Sequence, residues 1–220
     1  MIAAVKKILS AAAAGGEPPD NAAELFELYI DSILAGGERL HLFSRSELTP
    51  RRVANHHILD AVAALHFARP RKHARLLDYG AGSGVVGITW KILRPDLHLV
   101  LLESMKRKAS FLKGALRVLD LEGAEVWTGR GEDFARSDPA TIDFLVSRGV
   151  ASNRKTARAI RQLLRPFGQA LFFKGPATAA EIGRLIKGDK ELSLVREETM
   201  PLGGDKERIL VQASKVHIEK

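Results

Sequence analysis

Residues 76–84 read Leu76-Leu77-Asp78-Tyr79-Gly80-Ala81-Gly82-Ser83-Gly84: a short apolar run, a carboxylate, then glycine at every second position. With Val85-Val86-Gly87-Ile88 behind it, the stretch predicts a strand, a tight bend and the first turn of a helix. Glycine tolerates positive φ and lets a ligand touch bare backbone, so the bend is a binding loop. Three forms compete for it. A Walker A loop ends in Gly-Lys-Ser/Thr, and that ending is absent. Gly82-x-Gly84-x-x-Gly87 fits a dinucleotide fingerprint, with Glu103 about 20 residues on as a ribose acceptor. The third form is acid-x-Gly-x-Gly-x-Gly, the pattern of S-adenosylmethionine-dependent methyltransferases, with Asp78 as its acid. Asp78 favours this third form. A pyrophosphate is anionic and gains nothing from a carboxylate two residues before the glycines. S-adenosylmethionine carries a sulfonium and an ammonium, which a carboxylate attracts, and Glu103 then accepts from both ribose hydroxyls.

Outward from the bend, strands are expected at 75–79, 98–103, 125–128, 142–147 and 170–174. Helices are expected near 85–93, 106–119, 132–136 and 154–164. Alternation of short, continuously apolar strands with helices indicates a parallel sheet covered on both faces. The end differs: 194–198 and 209–214 face each other across Pro201-Leu202-Gly203-Gly204-Asp205, an antiparallel hairpin. Upstream lie three helices. The first, within 1–16, turns Ile2, Val5, Ile8 and Leu9 inward; the second, 21–34, is stopped by Gly36-Gly37; the third, 50–67, is closed by Pro70. The fold class is therefore α/β, a Rossmann-like class I methyltransferase. It has a doubly wound, mostly parallel sheet, an antiparallel C-terminal hairpin and an N-terminal helical extension. Residues 1–70 form the extension and 71–220 the S-adenosylmethionine-binding core of one compact domain.

The 220 residues include no cysteine, which excludes disulfides, thiolate metal sites and cysteine nucleophiles. No apolar run reaches the roughly 18 residues of a membrane span. A cytoplasmic monomer with no membrane partner is expected. The net charge of +8 is unevenly placed. Residues 1–35 are net acidic, whereas 36–75, 104–119 and 148–165 are basic, the last two without a single carboxylate. Clustered basic surface suggests a polyanion such as RNA. Arg154, Arg158, Arg161 and Arg165 recur at helical spacing as one stripe, read as a phosphate-tracking face. His56 and His57 point to different sides of one helix, and His57 is placed on the RNA side with Lys174. No third ligand near the histidines suggests a metal site.

After the third strand, Gly131-Glu132 lies where adenine would meet the sheet edge; Glu132 or the adjacent backbone pairs there with the adenine amino group, or the carboxylate serves only the dipole of a short helix. After the fourth strand the chain reads Ser147-Arg148-Gly149-Val150-Ala151-Ser152. The Asp/Asn-Pro-Pro-aromatic signature of amino-group methylation is absent, and carbon-5 methylation lacks its cysteine. Guanine N7 needs neither. Its lone pair is free at neutral pH, so the enzyme need only align and desolvate the reactants. Arg148 marks the acceptor loop, with no catalytic base assigned.

The run 77–88 resembles the glycine motif of the bacterial RsmG (GidB) 16S rRNA guanine-N7 methyltransferases. So do Leu102-Glu103-Ser104-Met105 with Lys108 and Phe111-Leu112, Gly129-Arg130-Gly131-Glu132, the run 147–152, Lys174-Gly175 and His57-Ile58-Leu59-Asp60. The resemblance spans about residues 25–213. It implies cofactor contacts at Gly80, Val85, Gly131, Glu132 and Arg148, with Glu103 on the ribose. It also implies the small ribosomal subunit as substrate, at a guanine of the decoding-region loop. The chain departs from the family at Val86, where proline is usual, and at His41 and Phe43, where an Asn-Leu-Thr segment is usual. Two alternatives stand: the same fold acting on another RNA or a small molecule, and an RNA- or cofactor-binding module without catalysis.

Overall fold

The computed structural model describes residues 1–149, 153–202 and 206–216. Three helical segments come first: α1 (Ile2–Ala13), α2 (Ala22–Leu40) and α3 (Pro50–Val53), the last running through a π turn at Ala54–Ile58 into α4 (Leu59–Ala68). The core then alternates β1 (Arg75–Tyr79), α5 (Val85–Leu93), β2 (His98–Glu103), α6 (Lys106–Leu119), β3 (Ala124–Thr128), α7 (Gly131–Ser137), β4 (Ile142–Arg148), α8 (Arg154–Leu163), β5 (Leu164–Lys174) and α9 (Pro176–Lys187). The hairpin of β6 (Leu192–Leu202) and β7 (Lys206–Lys215) closes the chain.

The seven strands order as β3-β2-β1-β4-β5-β7-β6, with β7 antiparallel to both of its neighbours. Strand order reverses between β1 and β4, which pair in parallel from Leu76 with Phe144 to Asp78 with Val146. A crevice opens at the carboxyl ends of the strands at such a switch point. Alternate residues of each strand feed two cores. Leu76, Leu99, Leu101, Phe144 and Val146 pack with α1, α2, α4, α5 and α6. Leu77, Val100, Leu102, Leu145 and Phe172 pack with α7, α8 and α9. The expected doubly wound sheet and hairpin are present.

The N-terminal helices share the first core rather than forming their own. Trp90 of α5 donates its indole N–H to the Ala61 carbonyl at 2.8 Å, and the Tyr29 hydroxyl donates to Ser83 O at 2.9 Å. From the other end of the chain, Arg196 of β6 lays its guanidinium 3.8 Å over the Phe67 ring. No described helix is long and apolar enough to cross a membrane.

Several expectations need correcting. Gly36 and Gly37 do not stop α2; they sit buried inside it. A Cβ on Gly37 would come 2.3 Å from Leu48, and one on Gly36 would come 3.1 Å from the Phe111 ring, so close packing explains both. The helix ends at His41, in the left-handed region at φ 49°. Ile2 of α1 faces solvent, whereas Ala12 joins Val5 and Ile8 inside. Helix α8 stops at Leu163, so Arg165 belongs to β5 and the four arginines are not one helical stripe. Helix α9 was not expected from the sequence. Gly203, Gly204 and Asp205 of the hairpin turn lie outside the described residues.

Candidate functional site

At the switch point the glycine bend takes the conformation its composition demands. Gly80, Gly82 and Gly84 have φ of 78°, 60° and 79°. Gly80 and Ala81 both donate to Leu102 O at 2.9 Å, tying the bend to the end of β2. Gly82 opens onto free space, since a Cβ there would meet only the Gly80 carbonyl at 3.9 Å. Gly87 serves packing: its Cβ would lie 2.9 Å from Leu99 and Leu101 and 3.0 Å from Asp78.

Two carboxylates brace this bend. Asp78 ends β1 fully buried and accepts from the Gly87 N–H at 2.9 Å, capping the first turn of α5 from outside the helix. Burial pushes its carboxyl up to about 6, against the pull of that hydrogen bond and of Arg148. Glu103 ends β2 and accepts from Gly82 N at 2.9 Å and from Met105 N at 2.8 Å, one bond to each oxygen.

These groups line a cleft of about 1000 Å³. Of the residues expected to hold cofactor, Asp78, Gly80, Gly82, Val85, Glu103 and Arg148 line it. Gly84, Gly131 and Glu132 do not. Gly84 caps α5 beneath Leu112 and Ile88, and the Tyr79 ring stands over Gly131, whose Cβ would meet the hydroxyl at 2.0 Å. The Glu132 carboxylate lies 3.3 Å from Lys155 and is held below its usual range by its own backbone N–H, while burial opposes.

His57 and Lys174, expected to face RNA, also line the cleft. The His57 ring stacks on Phe43 with centroids 4.0 Å apart and planes 16° from parallel. Burial, helped by Arg148, pushes the imidazole down to about 3, so it is neutral at physiological pH. Neither ring nitrogen has a hydrogen-bond partner among the described residues. Its Nε2 approaches the Glu47 carboxylate at 3.4 Å without hydrogen-bond geometry, and His56 Nδ1 meets the same carboxylate at 2.8 Å, so the two histidines converge on one acid rather than facing apart.

Next to His57 in the cleft, Asp60 of the same motif is joined by two arginines. Asp60 of α4 is buried, and its Oδ2 lies 3.6 Å from Arg148 Nη1 and 3.3 Å from Arg208 Nε. Burial pushes the Asp60 carboxyl up while the two guanidiniums pull it down. Two cations thus share one anion, and Arg148 Nη1 has no hydrogen-bond partner. A buried donor without a partner is costly unless a ligand completes it. Arg208 lines the same cleft from β7. Val150, Ala151 and Ser152 of the acceptor loop lie outside the described residues.

The basic stripe divides. Arg161 pairs with Asp189 at 3.4 Å and Glu191 at 3.5 Å, and Arg165 with Asp143 at 2.5 Å. These carboxylates come from β4 and from the turn into β6, on either side of the acid-free stretch 148–165 and outside it. Arg154 and Arg158 remain exposed.

Residues 22–211 match the family model GidB, described as rRNA small subunit methyltransferase G. A ribosomal RNA small subunit methyltransferase G of Symbiobacterium thermophilum is 33% identical over 213 residues, 91% of this chain and 85% of that protein. One of Mycolicibacterium gilvum is 35% identical over 173 residues, 75% of this chain and 74% of that protein. Among solved structures, TrmN from Thermus thermophilus superposes with a TM-score of 0.58 at 17% identity, covering 72% of this chain and 49% of that one. A mutant of MtNAS in complex with S-adenosylmethionine superposes with a TM-score of 0.61 at 14% identity, covering 89% and 78%. At these identities the solved structures speak to the fold alone. Matched over most of its length, the chain belongs to the GidB family, the rRNA small subunit methyltransferase G family.

Proposed function

We propose that the chain transfers a methyl group from S-adenosylmethionine to N7 of a guanine in 16S ribosomal RNA of the small subunit. One observation carries the cofactor reading: carboxylates already hold one amide donor of the glycine bend and one of the first turn of α5, Gly82 bonding Glu103 and Gly87 bonding Asp78, each at 2.9 Å. A pyrophosphate relies on free amides at a helix N-terminus, and here it would meet two anions instead. A ribose, an ammonium and a sulfonium meet complementary acceptors. The residues present therefore fit S-adenosylmethionine, with Asp78, Gly80, Gly82, Val85 and Glu103 as its holders.

Bound there, the cofactor supplies a methyl carbon made electrophilic by its sulfonium. The protein has no proton to remove, because N7 offers a free lone pair. Its residues exclude water and orient the acceptor. Phe43 and the neutral His57 give a flat aromatic wall on which a base can stack. Arg148 Nη1, ion-paired to Asp60 at 3.6 Å but without a hydrogen bond, is assigned as a donor to a ligand oxygen, and Asp60 holds both Arg148 and Arg208 in place. Arg154, Arg158 and Lys174 are assigned to RNA phosphates around the cleft. The family name and the basic surface support ribosomal RNA as acceptor.

The test offers labelled cofactor with naked 16S RNA, assembled small subunits and transfer RNA, then maps the modified base. Label at N7 of one guanine in 16S RNA, free or assembled, is the expected result. Label confined to transfer RNA, or none in any RNA, would overturn the assignment.

A further inference from the structure

Beside the cofactor cleft, a second groove of about 780 Å³ runs between α2 and α6. Its floor is Phe111 with the side-chain-free positions Gly36 and Gly114, and its rim carries Arg39, Arg107 and Arg117. No described carboxylate lines it. The glycines keep it open: nothing stands within 4 Å of a Cβ on Gly114, and one on Gly36 would run into the Phe111 ring.

The charge on this groove serves no evident purpose in the fold. Helix α6 reads Lys106-Arg107-Lys108-Ala109-Ser110-Phe111-Leu112-Lys113-Gly114-Ala115-Leu116-Arg117-Val118-Leu119, five cations and no acid. Three of the five fill its first turn, where the helix dipole favours anions and opposes cations. Arg39, Arg107 and Arg117 are exposed, and none forms an ion pair among the described residues. Arg161 and Arg165, by contrast, are neutralised by partners. Cations kept against the dipole and left without partners are placed for an anion from outside.

The groove also adjoins the proposed cofactor cleft. Met105 and Lys108 line the cleft while Arg107 and Phe111 line the groove, all within the first turns of one helix. The ten steps from Arg107 to Arg117 span about 15 Å of helix, a distance that a few nucleotides of backbone cover.

We propose that the α2–α6 groove binds the phosphodiester backbone of the RNA strand next to the target base, through Arg39, Arg107 and Arg117. The identity of the polyanion rests on the functional reading above; the groove and its charges do not.

The test is the triple variant Arg39→Gln, Arg107→Gln, Arg117→Gln, titrated against a labelled single-stranded RNA of about 20 nucleotides between about 50 and 200 mM salt. Loss of three phosphate contacts is expected to lower the slope of log affinity against log salt by about 2 to 3, at about 0.7 to 0.9 per contact. Affinity at the low-salt end should fall at least tenfold, with cofactor affinity and Tm unchanged because all three side chains are exposed. An unchanged slope overturns the proposal. So does weaker binding to assembled subunits with none to naked RNA, which would assign the groove to a ribosomal protein. Methyl transfer by the unaltered chain is scored separately. A lowered slope without methyl transfer would retain the groove and reject the enzyme; methyl transfer with an unchanged slope would reject the groove alone.

Discussion

Asp78 caps α5 and faces the cleft with one carboxyl, and its environment gives it a measurable signature. Its folded carboxyl is raised from 3.8 to about 6, chiefly by burial. A raised carboxyl favours the folded state while protonated, so that stability is full below about 4 and is lost as pH rises through about 6. His57 acts in the opposite sense. Its imidazole is lowered from 6.5 to about 3, chiefly by burial, so its contribution is present above 6.5 and lost as pH falls. The two trends offset one another in the intact chain. Asp78→Asn is therefore expected to lose stability more steeply than the wild type as pH drops from 6 to 4, by up to about 3 kcal/mol. His57→Phe should do the reverse, and urea midpoints across that range decide both. Equal slopes in all three proteins would show that these groups titrate normally. Glu103→Ala removes an acceptor from two backbone N–H groups and, in the proposed binding mode, from the cofactor ribose. Cofactor affinity should fall roughly 10- to 100-fold, at about 1 to 3 kcal/mol per unsatisfied buried group; calorimetry reads it. Asp78 and Glu103 were legible because each ends an apolar strand, and a strand end has a fixed place in such a sheet. The Asp60–Arg208 contact was not, since 148 residues separate the partners and nothing around Arg208 marks it as the one that meets Asp60.

At the scale of elements, glycine is the residue whose meaning depends most on its neighbours. Gly80, Gly82 and Gly84 spell a positive-φ bend that is readable in one dimension. Gly36-Gly37 reads the same way in sequence yet lies within α2, because Phe111 and Leu48 come too close for side chains. The difference lies entirely in partners from elsewhere in the chain. Helix α9, which was not expected, opens on Pro176, and proline is favoured in a first helical turn. Gly87→Ala distinguishes packing from turn geometry. Its new methyl would press on Leu99, Leu101 and the Asp78 carboxylate within a buried layer. Overpacking of this kind costs about 1 to 3 kcal/mol, which lowers Tm by several degrees in a domain of this size. A Tm equal to wild type would mean that α5 can retreat from the sheet.

For the whole molecule, the net charge of +8 is informative only through its distribution. Helix spacing suggested four equivalent arginines on α8, but folding neutralises Arg161 and Arg165 with Asp189, Glu191 and Asp143. Arg154→Ala and Arg158→Ala should each lower the salt slope of RNA binding by roughly 1, whereas Arg161→Ala and Arg165→Ala should leave it in place. Four equal effects would mean that RNA breaks those ion pairs open. The central claim is more basic than the path of the RNA: the cleft at the β1–β4 switch point receives a sulfonium-bearing nucleoside rather than a pyrophosphate. Its most direct test is side-by-side calorimetric titration of the purified chain with S-adenosylmethionine and with NAD. Saturable heat with S-adenosylmethionine and none with NAD is the expected result. Binding of NAD with no response to S-adenosylmethionine would contradict it.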